Sequence, residues 1–281
     1  MPGAMSRRLG LAILSLGSLL SLALACAKEE QKGVETKTAP LVPGAAVGKA
    51  TEQAASKEDA YAELDVVPSA GVLKGTVTYT GSKQPGKLNV TKDTQVCTHG
   101  GEPDGSLQVS NGKLENAVVA ITDDIQRGKR WEGGKAVVNN KECLFEPRVQ
   151  IGRYQGEVEA KNSDPLFHNA NLARVDSTNT ASNSDVLANV ALPMQGQTAT
   201  KNLKKSGIVA VKCNVHEWMQ AWIYVSKHPY AAVTQADGSY EISGIPPGEY
   251  NAMIWHEQLG QVSAKVKVEP GGTATLDQAF N

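Results

Sequence analysis

The chain has 281 residues, of which 41% are hydrophobic, and its 28 Lys and Arg nearly balance its 29 Asp and Glu. A charge so close to zero gives no reason to expect nucleic acid as a partner, because that recognition needs a basic surface. About 210 residues follow the polar N-terminal region, enough for one large or two small domains.

Residues 1–25 read as a targeting segment. Arg7 and Arg8 form a positive start, and an apolar run from Leu9 to Ala25 ends at Ala23-Leu24-Ala25 before Cys26. The run is shorter than the ~20 apolar residues of a membrane-spanning helix. Two processing routes fit. Leu22-Ala23-Leu24-Ala25-Cys26 resembles a lipobox, which would leave Cys26 lipid-modified and the chain exported, periplasmic or on the outer face of the cell, held to the membrane by lipid alone. Ala23-x-Ala25 also suits ordinary signal peptidase, which would release a soluble protein.

Residues 26–69 are rich in Ala, Lys, Glu, Thr and Pro with almost no aromatic side chain, so they bury too little apolar surface to offset ordering and read as a flexible tether. A marginal helix over Thr51 to Leu64 is the one element that its Ala and Glu content suggests.

From Gly71 the pattern changes to strands, and the expected fold class is all-β. Val72 to Tyr79 alternates and is β-branched, and Ala117 to Ile121 is a short buried run. Later strands are expected over 148–151, 156–162, 208–213, 221–225, 239–242, 250–255 and 262–268. Many short strands separated by Gly, Pro and Asp-Gly turns indicate sandwiches.

The cysteines divide by position. With Cys26 at the processing site, Cys97 and Cys143 are expected to pair in an oxidising compartment, although Cys97-x-His99 could bind a metal instead. Cys213 is left over. Cys213-Asn-Val-His216-Glu-Trp-Met219 places a thiolate, an imidazole and a thioether on one loop between two expected strands, the ligand types of a mononuclear blue copper site. Soft sulfur favours Cu(I), and imidazole accepts both oxidation states. A second histidine is available at His168, in Lys161-Asn-Ser-Asp-Pro-Leu-Phe-His168-Asn169.

An Asn-x-Asp turn leading into His-Asn, followed at a distance by Cys-x2-His, is similar to plastocyanin-like cupredoxins, and Phe145-Glu-Pro147 looks like that family's Phe-x-Pro. The resemblance implies a cupredoxin Greek-key sandwich over 136–228 holding one copper ion. It makes His168, Cys213 and His216 the equatorial ligands, Met219 the axial one, and Asn169 a hydrogen-bond brace for the Cys213 loop. Met194 and Met253 are weaker candidates for the axial place, and the spacing from His216 to Met219 is shorter than in plastocyanin-like loops. Related exported chains carry His after the Pro of Phe-x-Pro, where this one has Arg148. Trp218 and Trp222 are expected to pack rather than relay electrons, and His99, His228 and His256 to lie on the surface.

The tail over 229–281, with Asp237-Gly238 and Pro246-Pro247-Gly248 turns laying out hairpins, resembles the carboxypeptidase regulatory-like family, a small transthyretin-like sandwich. Its expected first strands lie far upstream within 70–135, at Gly75-Thr-Val77 and Asn116 to Val119. The cupredoxin segment is therefore either inserted into that sandwich or in tandem with it.

The functional expectation is a one-electron carrier, not an enzyme, exchanging electrons with a c-type cytochrome or a copper oxidase. The loop has one cysteine, not the two of a binuclear centre. Cys213 is flanked by Lys212 and Asn214, without the adjacent histidine that copper oxidases and nitrite reductases use as a bridge. The alternatives are a metal-free exported binding or structural module and a protein that holds or delivers copper.

Overall fold

The structure is a computed structural model that describes residues 61–176, 179 and 185–281. The expected leader, Cys26 and most of the tether lie outside the described residues. At the end of the segment read as tether, Ala62–Leu64 is a strand that pairs in parallel with Arg127–Lys129. The helix expected to end at Leu64 is therefore not formed over its last residues. The Tyr61 hydroxyl, donating to Lys129 O at 2.8 Å, fixes this strand to the body of the protein.

The described chain is all-β, with no α-helix among the described residues. One pair of sheets comes from residues 136–226. Thr198–Asn202, Glu157–Asn162, Ala136–Lys141 and Leu144–Glu146 form a four-stranded sheet. Val186–Leu192, His168–Arg174, Gly207–Lys212, Gln220–Ser226 and Val149–Arg153 form a five-stranded one. Val138, Phe145, Val158, Leu172, Leu192, Val209, Val211 and Ile223 contribute to their shared core.

A second pair of sheets is built from both sides of that segment. Ala231–Val233, Val118–Ile121, Gly248–His256 and Gly260–Val268 form one sheet, and Ser239–Ile245 pairs with Gly71–Tyr79 in the other. The terminal strands Thr273–Thr275 and Gln278–Phe280 also run along Gly71–Tyr79, in parallel.

Burial along two strands explains how the two halves join. Ile208 to Val211 within Gly207–Lys212, and all of Val118–Ile121, are buried without alternation. Val209 and Val211 face the first core, whereas Ile208 and Ala210 face a third cluster with Val118, Ala120, Val149, Trp222, Met253 and Trp255. Val119 and Ile121 face the second core. Side chains on a strand alternate between faces, so a strand buried throughout has a packed layer on each side. Each Val or Ile buried this way contributes roughly 1.5–3 kcal/mol.

The expected hairpins are corners instead. The Asp237-Gly238 turn joins Ala231–Val233 in one sheet to Ser239–Ile245 in the other, and Pro246-Pro247 returns the chain to the first. The turn residues reverse the chain as their chemistry requires, with Gly238 at φ 73° and the Asp237 carboxylate accepting from Ser239 N at 2.9 Å. Crossing over lets Tyr240, Ile242 and Ile245 enter the second core.

Candidate metal centre

The loop 213–219 closes the antiparallel pair Gly207–Lys212 and Gln220–Ser226, whose last partners are Lys212 and Gln220. Cys213 and Met219 therefore start side by side, and Cys213 N donates to Met219 O at 3.3 Å. Met219 N donates to His216 O at 2.9 Å, turning His216 back toward Cys213. His168 opens the neighbouring strand His168–Arg174.

His168, Cys213 and His216 converge as a candidate metal group. Cys213 Sγ lies 3.9 Å from His168 Nδ1 and 3.7 Å from His216 Nδ1, and the two Nδ1 atoms are 3.0 Å apart. A point equidistant from these three atoms lies about 2.1 Å from each, the length of a metal–imidazole bond and close to that of a metal–thiolate bond. Met219, fully buried, packs in the same core cluster as Cys213. Met253 belongs to the cluster between the sandwiches, and Met194 is 66% exposed.

Two carboxylates orient the imidazoles from behind. Asp164 Oδ2 lies 3.0 Å from His168 Nε2, and Asp93 Oδ2 lies 2.9 Å from His216 Nε2. A carboxylate accepts, so each Nε2 carries its proton and each Nδ1 presents a lone pair. Two such lone pairs 3.0 Å apart beside a sulfur repel unless a cation stands between them. On His168 burial first, and then the neighbouring His216, disfavour a proton in that place despite Asp164. The donor set thus fits a metal ion, and histidine backed by carboxylate is how proteins fix such ligands.

Asp164 is itself held. Asn162 Oδ1 accepts from Asp164 N at 2.9 Å, and Asn162 Nδ2 donates to Leu166 O and Leu192 O. The Asp164 carboxylate also accepts from Glu142 N at 2.7 Å and Cys143 N at 2.9 Å. Glu142 and Cys143 form the tight turn between Ala136–Lys141 and Leu144–Glu146, both at positive φ. That conformation costs a side-chain-bearing residue roughly 1–2 kcal/mol, and the two hydrogen bonds to Asp164 help to offset it.

Asn169 Oδ1 accepts from Asn214 N at 2.7 Å and lies 3.5 Å from Cys213 Sγ, bracing the loop across the sheet. Trp218 Nε1 donates to Cys143 O at 3.0 Å, with its ring 5.1 Å from that of His216. Trp222 packs edge-on against Trp255 at 5.2 Å. Cys97 and Cys143 form a disulfide, so the alternative of Cys97 as a metal ligand is not realised. His99 is partly exposed and pairs with Glu102.

His228 and His256 correct an expectation, since both are buried. His228 Nε2 donates to Asp123 O at 3.0 Å, and Gln258 N donates to His256 Nδ1 at 3.2 Å. Burial lowers both pKa values, that of His256 to about 4. Arg148 binds Glu257 through Nε at 2.6 Å and Nη2 at 2.7 Å, linking the two sandwiches. Sequence reasoning reaches Asp164 only as part of a turn and does not reach Asp93 at all. The spacing of four residues from Asp164 to His168 is a usable signal, whereas nothing in the sequence ties Asp93 to His216.

Comparison with known proteins gives partial similarities. Residues 201–276 match the family model of polysaccharide lyase family 4, domain II. That sandwich family differs from the carboxypeptidase regulatory-like one expected for the tail, which no comparison shows, and its match takes in the 213–219 loop as well as the tail. No curated protein matches the sequence. Among solved structures, amicyanin from Paracoccus versutus is 14% identical, covering 38% of this chain and 97% of its own, with a TM-score of 0.27. A reduced Cu(I) form of a mutant amicyanin at pH 4 is 18% identical over 34% of this chain and 87% of its own, with a TM-score of 0.25. A copper-containing nitrite reductase from Thermus scotoductus SA-01 is 19% identical over 35% of this chain and 24% of its own, with a TM-score of 0.26.

Proposed function

We propose that this chain holds one copper ion between His168, Cys213 and His216, with Met219 as a weaker fourth ligand, and serves as a one-electron carrier. The observation that supports this most is the triangle of two Nδ1 atoms and Sγ, with both Nε2 atoms already committed to carboxylates. Two histidines and a thiolate in a trigonal arrangement are the donor set of electron-transfer copper sites. Copper bound there would supply Cu(II)/Cu(I) chemistry.

The chain's own residues would keep that site the same in both states. Asp164 and Asp93 fix the imidazoles, Asn169 fixes the loop, and the buried shell excludes water. A rigid, dry site limits rearrangement as charge changes. The proposal includes export, lipid attachment at Cys26, and a c-type cytochrome or copper oxidase as the exchanging protein. A second reading, copper holding, is favoured by one observation: both imidazoles are 0% exposed.

The test is a Cu(II) titration of the metal-free full chain, followed by visible absorption and EPR, beside Cys213→Ser. One equivalent should give an intense thiolate-to-copper band and narrow hyperfine splitting, both lost in the variant. Stoichiometric binding without that band would favour holding over electron transfer. No stoichiometric binding would leave a metal-free binding or structural module.

A further inference from the structure

Residues 81–106 lie across the metal centre without joining its sheets. Their regular pairing among the described residues is one isolated bridge, Lys87 to Pro103. The ends are anchored elsewhere. Lys83 Nζ donates to Gln258 O at 2.9 Å, and Arg148 Nη1 donates to Asp104 O at 2.8 Å. Between them the segment reaches the site at Asp93, whose carboxylate accepts from His216 Nε2, and at Val90 and Val96, which pack half-buried against the core that contains Cys213. His216 is buried beneath it.

One covalent bond ties the middle of this segment to the body of the protein. Val96 N and Cys97 N both donate to Asp93 O, at 2.9 and 2.8 Å, so Asp93 and Cys97 move as one turn. Cys97 is bonded to Cys143, whose N donates to the same Asp164 oxygen that faces His168 Nε2. Cys143 O in turn accepts from Trp218, beside His216. The disulfide therefore connects the supports of both histidine ligands.

We infer that residues 81–106 are a flap over the metal centre, latched by Cys97–Cys143, and that cleavage of this disulfide by a dithiol reductant opens the path for metal entry and exit. The inference rests on the site holding a metal. In the step, the S–S bond accepts two electrons and two protons to give two thiols, and the reductant's two thiols become its own disulfide. The flap then remains joined at Lys83 and Asp104, while Asp93 can leave His216. A closed latch retains the ion during electron transfer, and an open one lets it be loaded or withdrawn.

Cobalt(II) is a suitable probe because its thiolate band reads occupancy without redox chemistry. Uptake and chelator-driven release would be followed by stopped flow on the full chain, on the Cys97→Ser/Cys143→Ser double variant and on Asp93→Asn. A gate speeds both directions, so the double variant should take up and release cobalt about tenfold faster or more, with its dissociation constant changed much less than either rate. Asp93→Asn, with the disulfide intact, should speed both uptake and release and raise amide exchange over 88–104 only. If the double variant speeds release alone, the disulfide is a structural support and the gate is overturned; unchanged rates overturn it too. Should the double variant not fold, Asp93→Asn decides: faster release without faster uptake there, or unchanged rates, refutes the flap. A wild-type chain with no cobalt–thiolate band would refute the metal site itself, an outcome separate from every rate.

Discussion

Asp164→Asn is the substitution that separates a carboxylate placed for metal binding from one that merely fills a turn. The wild-type carboxylate meets three donors: Glu142 N at Oδ1, and Cys143 N and His168 Nε2 at Oδ2. An amide of the same shape offers one oxygen. If that oxygen takes the place of Oδ2, the new NH2 faces the Glu142 amide and one hydrogen bond is lost, at roughly 1–3 kcal/mol. If it takes the place of Oδ1, the NH2 faces both Cys143 N and His168, and the imidazole must shift its proton to Nδ1, where a metal would bind. Either arrangement removes negative charge from behind His168. Metal affinity should fall about 10- to 100-fold, the usual effect of losing such a partner. Competition titration with a chelator of known affinity measures this, and urea unfolding of the metal-free chain measures the first loss separately. Unchanged affinity with the expected loss of stability would show that Asp164 supports only the turn, and the account of the imidazole orientation would be wrong.

Arg148→Met should destabilise the chain by about 3–5 kcal/mol, because it leaves the Glu257 carboxylate, 3% exposed, without its partner. The double change Arg148→Met/Glu257→Leu should recover most of that in urea unfolding; a double variant as unstable as the single would refute the pairing argument. Acid should weaken the fold through His256. Its pKa is lowered to about 4, by burial first and then by Arg148 and Lys83, from an unfolded value near 6.5. The unfolded chain thus binds the extra proton first as pH falls, so stability from this group is complete above about 6.5 and is lost on the way down to about 4, up to about 3 kcal/mol in all. His256→Asn should flatten the slope of the urea midpoint against pH over that window, and an unchanged slope would reject His256 as its source.

The all-β class and nine of the strands were legible because alternation and turn residues are local signals, whereas Ala136–Lys141, His168–Arg174, Val186–Leu192 and Thr198–Asn202 were not expected. Val72 to Tyr79 alternates, and lies within Gly71–Tyr79. What failed was partner choice. Asp237-Gly238 correctly marks a reversal, yet a two-residue signal cannot say whether the next strand stays in its sheet or crosses the core, since either choice buries Tyr240 and Ile242. The exposure assigned to His228 and His256 failed for a related reason. A histidine in a short strand-and-turn sequence reads as polar, and only tertiary packing supplies the partners, Asp123 O and Gln258 N, that let it be buried neutral.

The donor group shows the same division at closer range. Cys213 and His216 share one loop, and His168 sits four residues after an aspartate in a turn, so their chemistry can be read from short stretches. Asp93 is 123 residues from His216, in a segment with no strand pattern, and its neighbours Lys92 and Thr94 suggest nothing but a solvated loop. Its place follows from the Cys97–Cys143 bond and the two amides that tie Asp93 to Cys97. Pairing two cysteines was foreseeable, but not that the loop carried in by one of them would end on a ligand. The disulfide thus has a consequence beyond joining two stretches of chain. It sets which carboxylate stands behind His216, and through that the tautomer that leaves Nδ1 free to bind.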